Sequence, residues 1–288
     1  MKVDFFIVGA PKSGTTSLYH YLNEHPEIQM SSQKEPDFFT DLDLYNSGMY
    51  YGKNRIDTIE KYHNLFKGSS KLRGEASVSY LFYDGVAKKI KNYNSDAKII
   101  IMLRNPIERA FSHYLMDYRL GLVSDSFEDV IDYKSKHKNA KLFYQQYIEV
   151  SEYFKQIKRY LDVFKTESVL FIDYEDLKRD VSDVVDRTHM FLGVDVFEPN
   201  NRGKHNTYNM PKNNIIRFFY SFVGLRNFLI FIFPKSFSKK IRTFLFRKDK
   251  KPKLSCVTRK KLYKHFEKDV IELGKLLNKD FSSWISDD

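Results

Sequence analysis

A lysine, a serine and two threonines sit where a short apolar run breaks into a Gly/Pro-rich turn, in the stretch from Asp4 to Ser17 that reads DFFIVGAPKSGTTS. The apolar part has the character of a buried strand, and a helical pattern opens at Thr15 and Thr16. A strand, a tight loop and a helix start, in that order, hold a phosphate: the loop N–H groups converge and the helix end carries partial positive charge. Lys12 adds a full charge, so Pro11, Lys12, Ser13, Gly14, Thr15, Thr16 and Ser17 are the candidate phosphate ligands. Gly9 and Gly14 bracket four residues, as in an ATP-type loop. That motif requires Lys and Ser/Thr directly after the second glycine. Here Thr15 and Thr16 follow it and the lysine lies inside the loop, which counts against a kinase or NTPase.

Two further constellations follow. Lys34-Glu35-Pro36 precedes Phe38 and Phe39 in a stretch with strand and turn signals. Read alone, it is an exposed loop anchored by two aromatic rings, or a carboxylate placed to take a proton from an attacking hydroxyl. Lys98 to Arg104 is a second buried strand, five apolar residues between charges, and Pro106 suits the first position of the next helix. Arg104 then stands at the C-terminal end of a parallel strand, where α/β ligand sites lie, and Ser112 falls about two turns into the helix. An arginine fork matches phosphate oxygens and a serine hydroxyl completes such a cradle. Arg109 faces another side and pairs structurally.

Pro11-Lys-Ser-Gly-Thr-Thr16, Lys34-Glu-Pro-x-Phe-Phe39 and Arg104-x-Pro-x-x-Arg-x-x-Ser112, in this order, resemble the motifs of sulfotransferases that use 3′-phosphoadenosine 5′-phosphosulfate (PAPS), above all the carbohydrate-type enzymes of heparan-sulfate and bacterial kinds. The resemblance implies that the first loop holds the 5′-phosphosulfate and that Lys12 assists the leaving phosphate. It makes Glu35 the catalytic base, supported by Lys34, and gives the 3′-phosphate to Arg104 and Ser112. Tyr174, after the strand Ser168–Asp173, matches a family tyrosine near the adenine. Glu75 and Ser77, in Arg73-Gly-Glu-Ala-Ser77, are acceptor-side candidates by position. The polar stretch 200–212 lies where the family returns a basic loop over the nucleotide, which assigns Lys204 to the 3′-phosphate, with Arg202 and Gly203 beside it. The implied acceptor is a hydroxyl of a glycan or glycolipid, with no metal and no nucleic acid.

These side chains need a sheet to position them. The 288 residues suffice for one large α/β domain, and 25 Phe and 20 Tyr exclude a disordered chain. The expected fold is a P-loop-like, mostly parallel sheet with helices on both faces and a helical C-terminal region, a single domain over 1–288. Helices are expected over 16–24, 57–66, 127–134, 183–192 and 262–277, with a long amphipathic one over 142–165; 40–71 otherwise looks less ordered, and His20 and His25 read as surface residues. One cysteine, Cys256, excludes an internal disulfide and suits a reducing compartment. With no leader or membrane span visible, the expected location is the cytoplasm.

The net charge of +11 suits an anionic partner. Lys235 to Lys261 holds twelve Lys/Arg against one acidic residue, Asp249, a surplus equal to that of the whole chain. Phe237, Ile241, Phe244 and Leu245 recur at helical spacing among the lysines, after the apolar run 228–233. Segment 225–261 is thus a basic amphipathic stretch, either packed on the domain with a solvated face or docking on an anionic membrane or polysaccharide. A non-catalytic binder of nucleic acid or acidic glycan accounts for this segment but leaves Lys12, Glu35, Arg104 and Ser112 unexplained.

Overall fold

The computed structural model describes residues 1–51, 54–68, 72–199, 209–212, 216, 246–248 and 251–286. Five strands, β1 (Phe5–Gly9), β2 (Ile28–Met30), β3 (Leu72–Ala76), β4 (Lys98–Leu103) and β5 (Val169–Asp173), form one sheet in the order β2-β3-β1-β4-β5, every neighbouring pair parallel. A two-stranded antiparallel pair joins β6 (Asn209–Pro211) to β7 (Phe246–Lys248).

The apolar runs are continuous because both sheet faces are covered. Phe6, Val8, Ile99 and Ile101 point to one core, and the alternating Phe5, Ile7, Ile100 and Met102 point to the other. Helices α1 (Thr15–Asn23) and α10 (Val181–Leu192) cover the second face, with Leu18, Leu22, Val184 and Val185 buried there. The first face takes α4 (Val86–Tyr93), α5 (Pro106–Arg119), α8 (Tyr153–Leu161) and α11 (Cys256–Leu277). Shorter helices α2 (Asp41–Asn46), α3 (Ile59–His63), α6 (Phe127–Ile131), α7 (Ala140–Tyr147) and α9 (Tyr174–Arg179) fill the connections. Helix starts follow their caps: Asn105 Oδ1 accepts from the N–H groups of Ile107 and Glu108 ahead of α5, and Ser255 Oγ from Thr258 ahead of α11.

The structure corrects four expectations. The helix expected over 142–165 is two, α7 and α8, separated by a 3-10 turn at Glu149–Ser151. The carbonyls of Gln146 and Tyr147, which would continue the ladder, both accept from Arg109 Nη2 at 2.7 Å. Asp269 of α11 then caps α8 through the N–H groups of Tyr153 (2.7 Å) and Phe154 (3.1 Å). His25 is buried rather than at the surface: its Nδ1 accepts from Glu27 N, its Nε2 donates to Asp195 O, and its ring lies 4.6 Å from that of His189. Within 40–71, α2 is ordered. The last helix begins at Cys256 rather than 262, because of the Ser255 cap.

Candidate active site

Strand order places the candidate chemistry. From β1 the chain crosses to the edge strand β2, returns to β3 beside β1, and then passes to β4 and β5 on the other side, so the loop after β1 sits where the winding reverses. That is where α/β sheets bind ligands. Glu35 follows β2, Arg104 follows β4 and Tyr174 follows β5, so the three motifs arrive at one edge of the sheet from both sides.

The first loop is tied to its neighbour at two points. Ala10 N donates to Met102 O (2.7 Å) and Arg104 Nη1 donates to the Lys12 carbonyl (3.2 Å). Gly14 caps α1 at φ 92°, and a Cβ there would stand 2.8 Å from Leu177 Cδ2 and 3.1 Å from Tyr174 Cδ2. Only glycine fits both the backbone and the space. The carbonyl of Gly14 accepts from Ser17 N and Leu18 N, which leaves the first-turn N–H groups of Thr15 and Thr16 as the open end of the helix. Lys12 adopts φ 70°, and its Nζ lies 3.4 Å from Met116 Sδ. Burial, and then the Arg119 guanidinium, lower its ammonium to a pKa of about 8. Ser13 is not brought to the cavity: its side chain is buried beneath the loop and its N–H donates to Ala10 O.

Glu35 and Asp37 also sit in the left-handed region, at φ 58° and 54°. Such backbone persists only where its surroundings impose it. Here β3 does so: Glu35 N donates to Ala76 O (2.9 Å), Asp37 N to Ser77 Oγ (3.0 Å), and Ser79 Oγ to Asp37 Oδ1 (2.7 Å). Lys34 Nζ pairs with Glu35 Oε1 at 2.5 Å. Ser77 thus holds the Glu35 loop from beneath. Glu75 is fully buried among Tyr62 and Tyr80, away from the cavity, and burial pushes its carboxyl up to about 8.

Arg104 stacks over the Tyr174 ring (4.6 Å) and lies 3.7 Å from Glu108. Its Nε is buried without a hydrogen-bond partner among the described residues. Burial alone would raise Glu108, but Arg259 (2.8 Å) and Lys251 (3.3 Å) hold its carboxyl below the usual range. Arg109, fully buried, donates to Ser151 Oγ and to two carbonyls, a structural bracket as expected.

A cavity of about 1000 Å³ unites these parts. Pro11, Lys12, Gly14, Thr15, Thr16 and Ser17 line it from the loop, with Glu35 on one side and Arg104, Ser112 and Tyr174 on the other. Lys204 and its neighbours, and segment 225–245, lie outside the described residues. Of the basic stretch, Lys251, Arg259 and Lys261 are described and pair with Glu108 and Asp132, so its end is packed on α5 and α6.

Sequence reasoning missed His113, Met116, Arg119 and Tyr51, which also line the cavity. Met116 and Arg119 follow Ser112 at i+4 and i+7, a helical spacing that marks the same face of α5. Behind them Asp117 is fully buried and accepts from the hydroxyls of Tyr50 (2.6 Å), Tyr51 (2.7 Å) and Tyr147 (2.9 Å). Burial raises it to about 6 against the pull of those bonds. Burial, and then Arg109, push the His113 imidazole well below its ordinary value, and Tyr51 OH lies 2.7 Å from its Nε2. No cluster of three metal-ligating side chains occurs among the described residues.

A parallel sheet with a phosphate loop at its winding reversal and an arginine at the neighbouring strand end defines a P-loop-like, nucleotide-binding α/β protein. More narrowly, a family model described as a sulfotransferase domain matches residues 2–274, and the chain belongs to the sulfotransferase family, whose sulfuryl donor is PAPS. It is 30% identical to a sulfotransferase from Alicyclobacillus acidocaldarius, whose crystal structure superposes with a TM-score of 0.72 over 99% of this chain and 100% of that one. Among curated relatives it is 26% identical over 198 residues to a bifunctional heparan sulfate N-deacetylase/N-sulfotransferase of Caenorhabditis elegans, and 27% identical over 243 residues to carbohydrate sulfotransferase 15 of Mus musculus. Those alignments cover 67% and 66% of this chain but 22% and 43% of the relatives, so the chain spans less than half the length of either.

Proposed function

We propose that the protein transfers the sulfuryl group of PAPS to a hydroxyl of a carbohydrate-type acceptor, a glycan or glycolipid, releasing adenosine 3′,5′-bisphosphate. The observation that carries this reading is the shared cavity, in which the Lys12 loop and Arg104 are joined by a hydrogen bond and Glu35 faces both. The residues suit the nucleotide: Gly14 lets Leu177 and Tyr174 pack closely against the start of α1, and the buried Arg104 Nε lacks a partner among the described residues. When bound, PAPS supplies an activated sulfuryl group on a phosphate leaving group.

Every other part belongs to the chain. The N–H groups at the start of α1 and the hydroxyls of Thr15 and Thr16 hold the 5′-phosphate, and Ser17 extends that wall. Lys12 places its charge at the bridging oxygen, where negative charge grows as the bond to sulfur breaks. Arg104 and Ser112 hold the 3′-phosphate, and Tyr174 offers its ring beside the base. Glu35 takes the acceptor proton, with Lys34 paired to its carboxylate at 2.5 Å. Relatives named for heparan sulfate and carbohydrate sulfuryl transfer support a carbohydrate-type acceptor. A Glu35→Gln variant should keep its affinity for adenosine 3′,5′-bisphosphate and lose turnover by about 10²–10⁴-fold. Near-normal turnover would remove Glu35 from this role.

A cytoplasmic location completes the proposal, with the basic segment 225–261 as its peripheral contact with an anionic membrane. The solvent-exposed free Cys256 is compatible with a reducing compartment, and no helix among the described residues is long and apolar enough to cross a membrane. Sedimentation with anionic and neutral vesicles tests the lipid contact; equal binding to both would end it.

A further inference from the structure

The cavity extends past Glu35 to a wall that none of the proposed nucleotide contacts uses. The β2 and β3 side supplies it, opposite Arg104 and Tyr174: Leu44 and Tyr45 of α2, Met49 and Tyr51 beyond it, and Phe82 and Tyr83 after β3. Three of these, Tyr45, Tyr51 and Tyr83, are amphipathic rings on an otherwise apolar surface, and Tyr45 is 64% exposed. The charged groups of this wall are Asp41 and Arg55, with Glu35 and Asp37 at its edge.

Arg55 is the cation that this wall presents to the cavity among the described residues, and it is already engaged; Lys34, at the wall's edge, is paired with Glu35. Its Nε donates to Asp41 Oδ1 (3.0 Å), its Nη2 to Asp41 Oδ2 (2.6 Å), and its guanidinium covers the Tyr45 ring at 4.3 Å. A bidentate pair uses the fork that would otherwise take a carboxylate or sulfate. With Glu35 and Asp37 nearby, an incoming anion meets like charge and no open donor fork, and repulsion of this kind sets specificity as firmly as attraction does.

We propose that the acceptor is a neutral hydroxylated molecule with an apolar or aromatic face beside its reacting hydroxyl, and that the Asp41–Arg55 pair excludes anionic acceptors. The inference rests on the sulfotransferase reading of the cavity and narrows it. Tyr45 and Phe82 stack on the acceptor body, while Asp41 both occupies Arg55 and repels a second carboxylate.

A matched ligand pair tests this without any variant. Protein saturated with adenosine 3′,5′-bisphosphate is titrated calorimetrically with phenyl β-glucoside and with phenyl β-glucuronide, which differ by one carboxylate. The glucoside should bind at least about fivefold more tightly, since a like charge at an exposed wall is worth roughly 1 kcal/mol. Asp41→Asn, which releases Arg55, should bring the ratio to one or below. Tyr45→Ala should weaken both ligands and leave the nucleotide affinity unchanged. Equal or tighter glucuronide binding overturns the inference, and so does failure of both ligands to bind the nucleotide complex. If adenosine 3′,5′-bisphosphate itself does not bind, the donor reading falls first and this inference with it.

Discussion

Lys12 should make nucleotide affinity depend on pH in a range where few groups of the ligand titrate. Burial and Arg119 lower its ammonium from 10.5 to about 8 in the free protein. At pH 7 about nine-tenths of the molecules then carry the charge, and at pH 9 about one-tenth. A phosphate dianion beside Nζ restores the charged form, and its own second ionisation, near pH 6, is complete across this window. Affinity for adenosine 3′,5′-bisphosphate should therefore fall about tenfold from pH 7 to pH 9, as the competent fraction falls. Binding at pH 8 should take up roughly half a proton, which calorimetry in buffers of different ionisation enthalpy reads directly. The same shift has a consequence for the free protein. A lysine with a lowered folded pKa opposes folding while charged, so the penalty is full below pH 8 and fades as pH rises towards 10.5. Its size, from a displacement of 10.5 to about 8, is about 3 kcal/mol. Lys251 also lines the cavity and is also lowered by burial, so the deciding control is Lys12→Met, which should bind weakly and with a flat profile. Wild-type affinity that stays flat between pH 7 and 9, or an unchanged slope in Lys12→Met, would refute the reasoning.

Arg104→Ala should lower affinity for adenosine 3′,5′-bisphosphate by about 10–100-fold, the worth of a charge-assisted contact, and should weaken adenosine 5′-phosphate much less because that ligand lacks the 3′ group. Direct titration of both nucleotides measures the difference. Arg109→Ala should instead strike stability: the carbonyls of Gln146 and Tyr147 each lose a charged donor inside the core and Ser151 Oγ loses another, for about 3 kcal/mol and a Tm lower by about 6–12 °C. A thermal melt checks it, and nucleotide affinity measured well below the transition should change little.

Much of the site was legible because its parts are short runs with local causes. The buried strands β1 and β4 announce themselves as unbroken apolar runs. The glycine that caps α1, the asparagine that caps α5 and the proline behind it fix where each helix begins, and hence where Lys12, Arg104 and Ser112 stand. What stayed hidden depends on distant partners. Nothing in the run 142–165 signals a break, since the cause is Arg109, thirty-seven residues before Gln146 and buried beneath it. His25 reads as a surface residue because its partners, Asp195 and His189, come from the far end of the chain. Ser13 matches the loop motif by position, yet the loop turns its side chain inward, which a motif cannot say. The Asp117 cluster joins Tyr50 and Tyr51 from one connection to Tyr147 from another, and no spacing in sequence foretells that meeting.

Strand order also explains how one cavity serves two ligands of opposite demands. The donor is a multiply charged nucleotide and needs cations; in the proposed reaction Arg104 and the Lys12 loop provide them on the β1–β4 side, where Met102 O and Lys12 O tie the two loops into one piece. In the proposed reaction the acceptor must come within reach of a carboxylate basic enough to take its proton, and a crowd of cations would lower that basicity. Glu35 is accordingly carried by the β2 connection, with β3 between it and β1, and has Lys34 as its salt-bridge partner. The cost is a backbone at φ 58° and 54°, met by the hydrogen bonds from Glu35 N to Ala76 O and from Asp37 N to Ser77 Oγ. Ser77, although absent from the cavity wall, is therefore a positioning residue in the proposed reaction. Ser77→Ala should leave nucleotide affinity intact and lower turnover, because it loosens the loop that carries the base while leaving the Lys12–Arg104 side untouched. Equal loss of nucleotide affinity and turnover would mean that the two sides are not separately built.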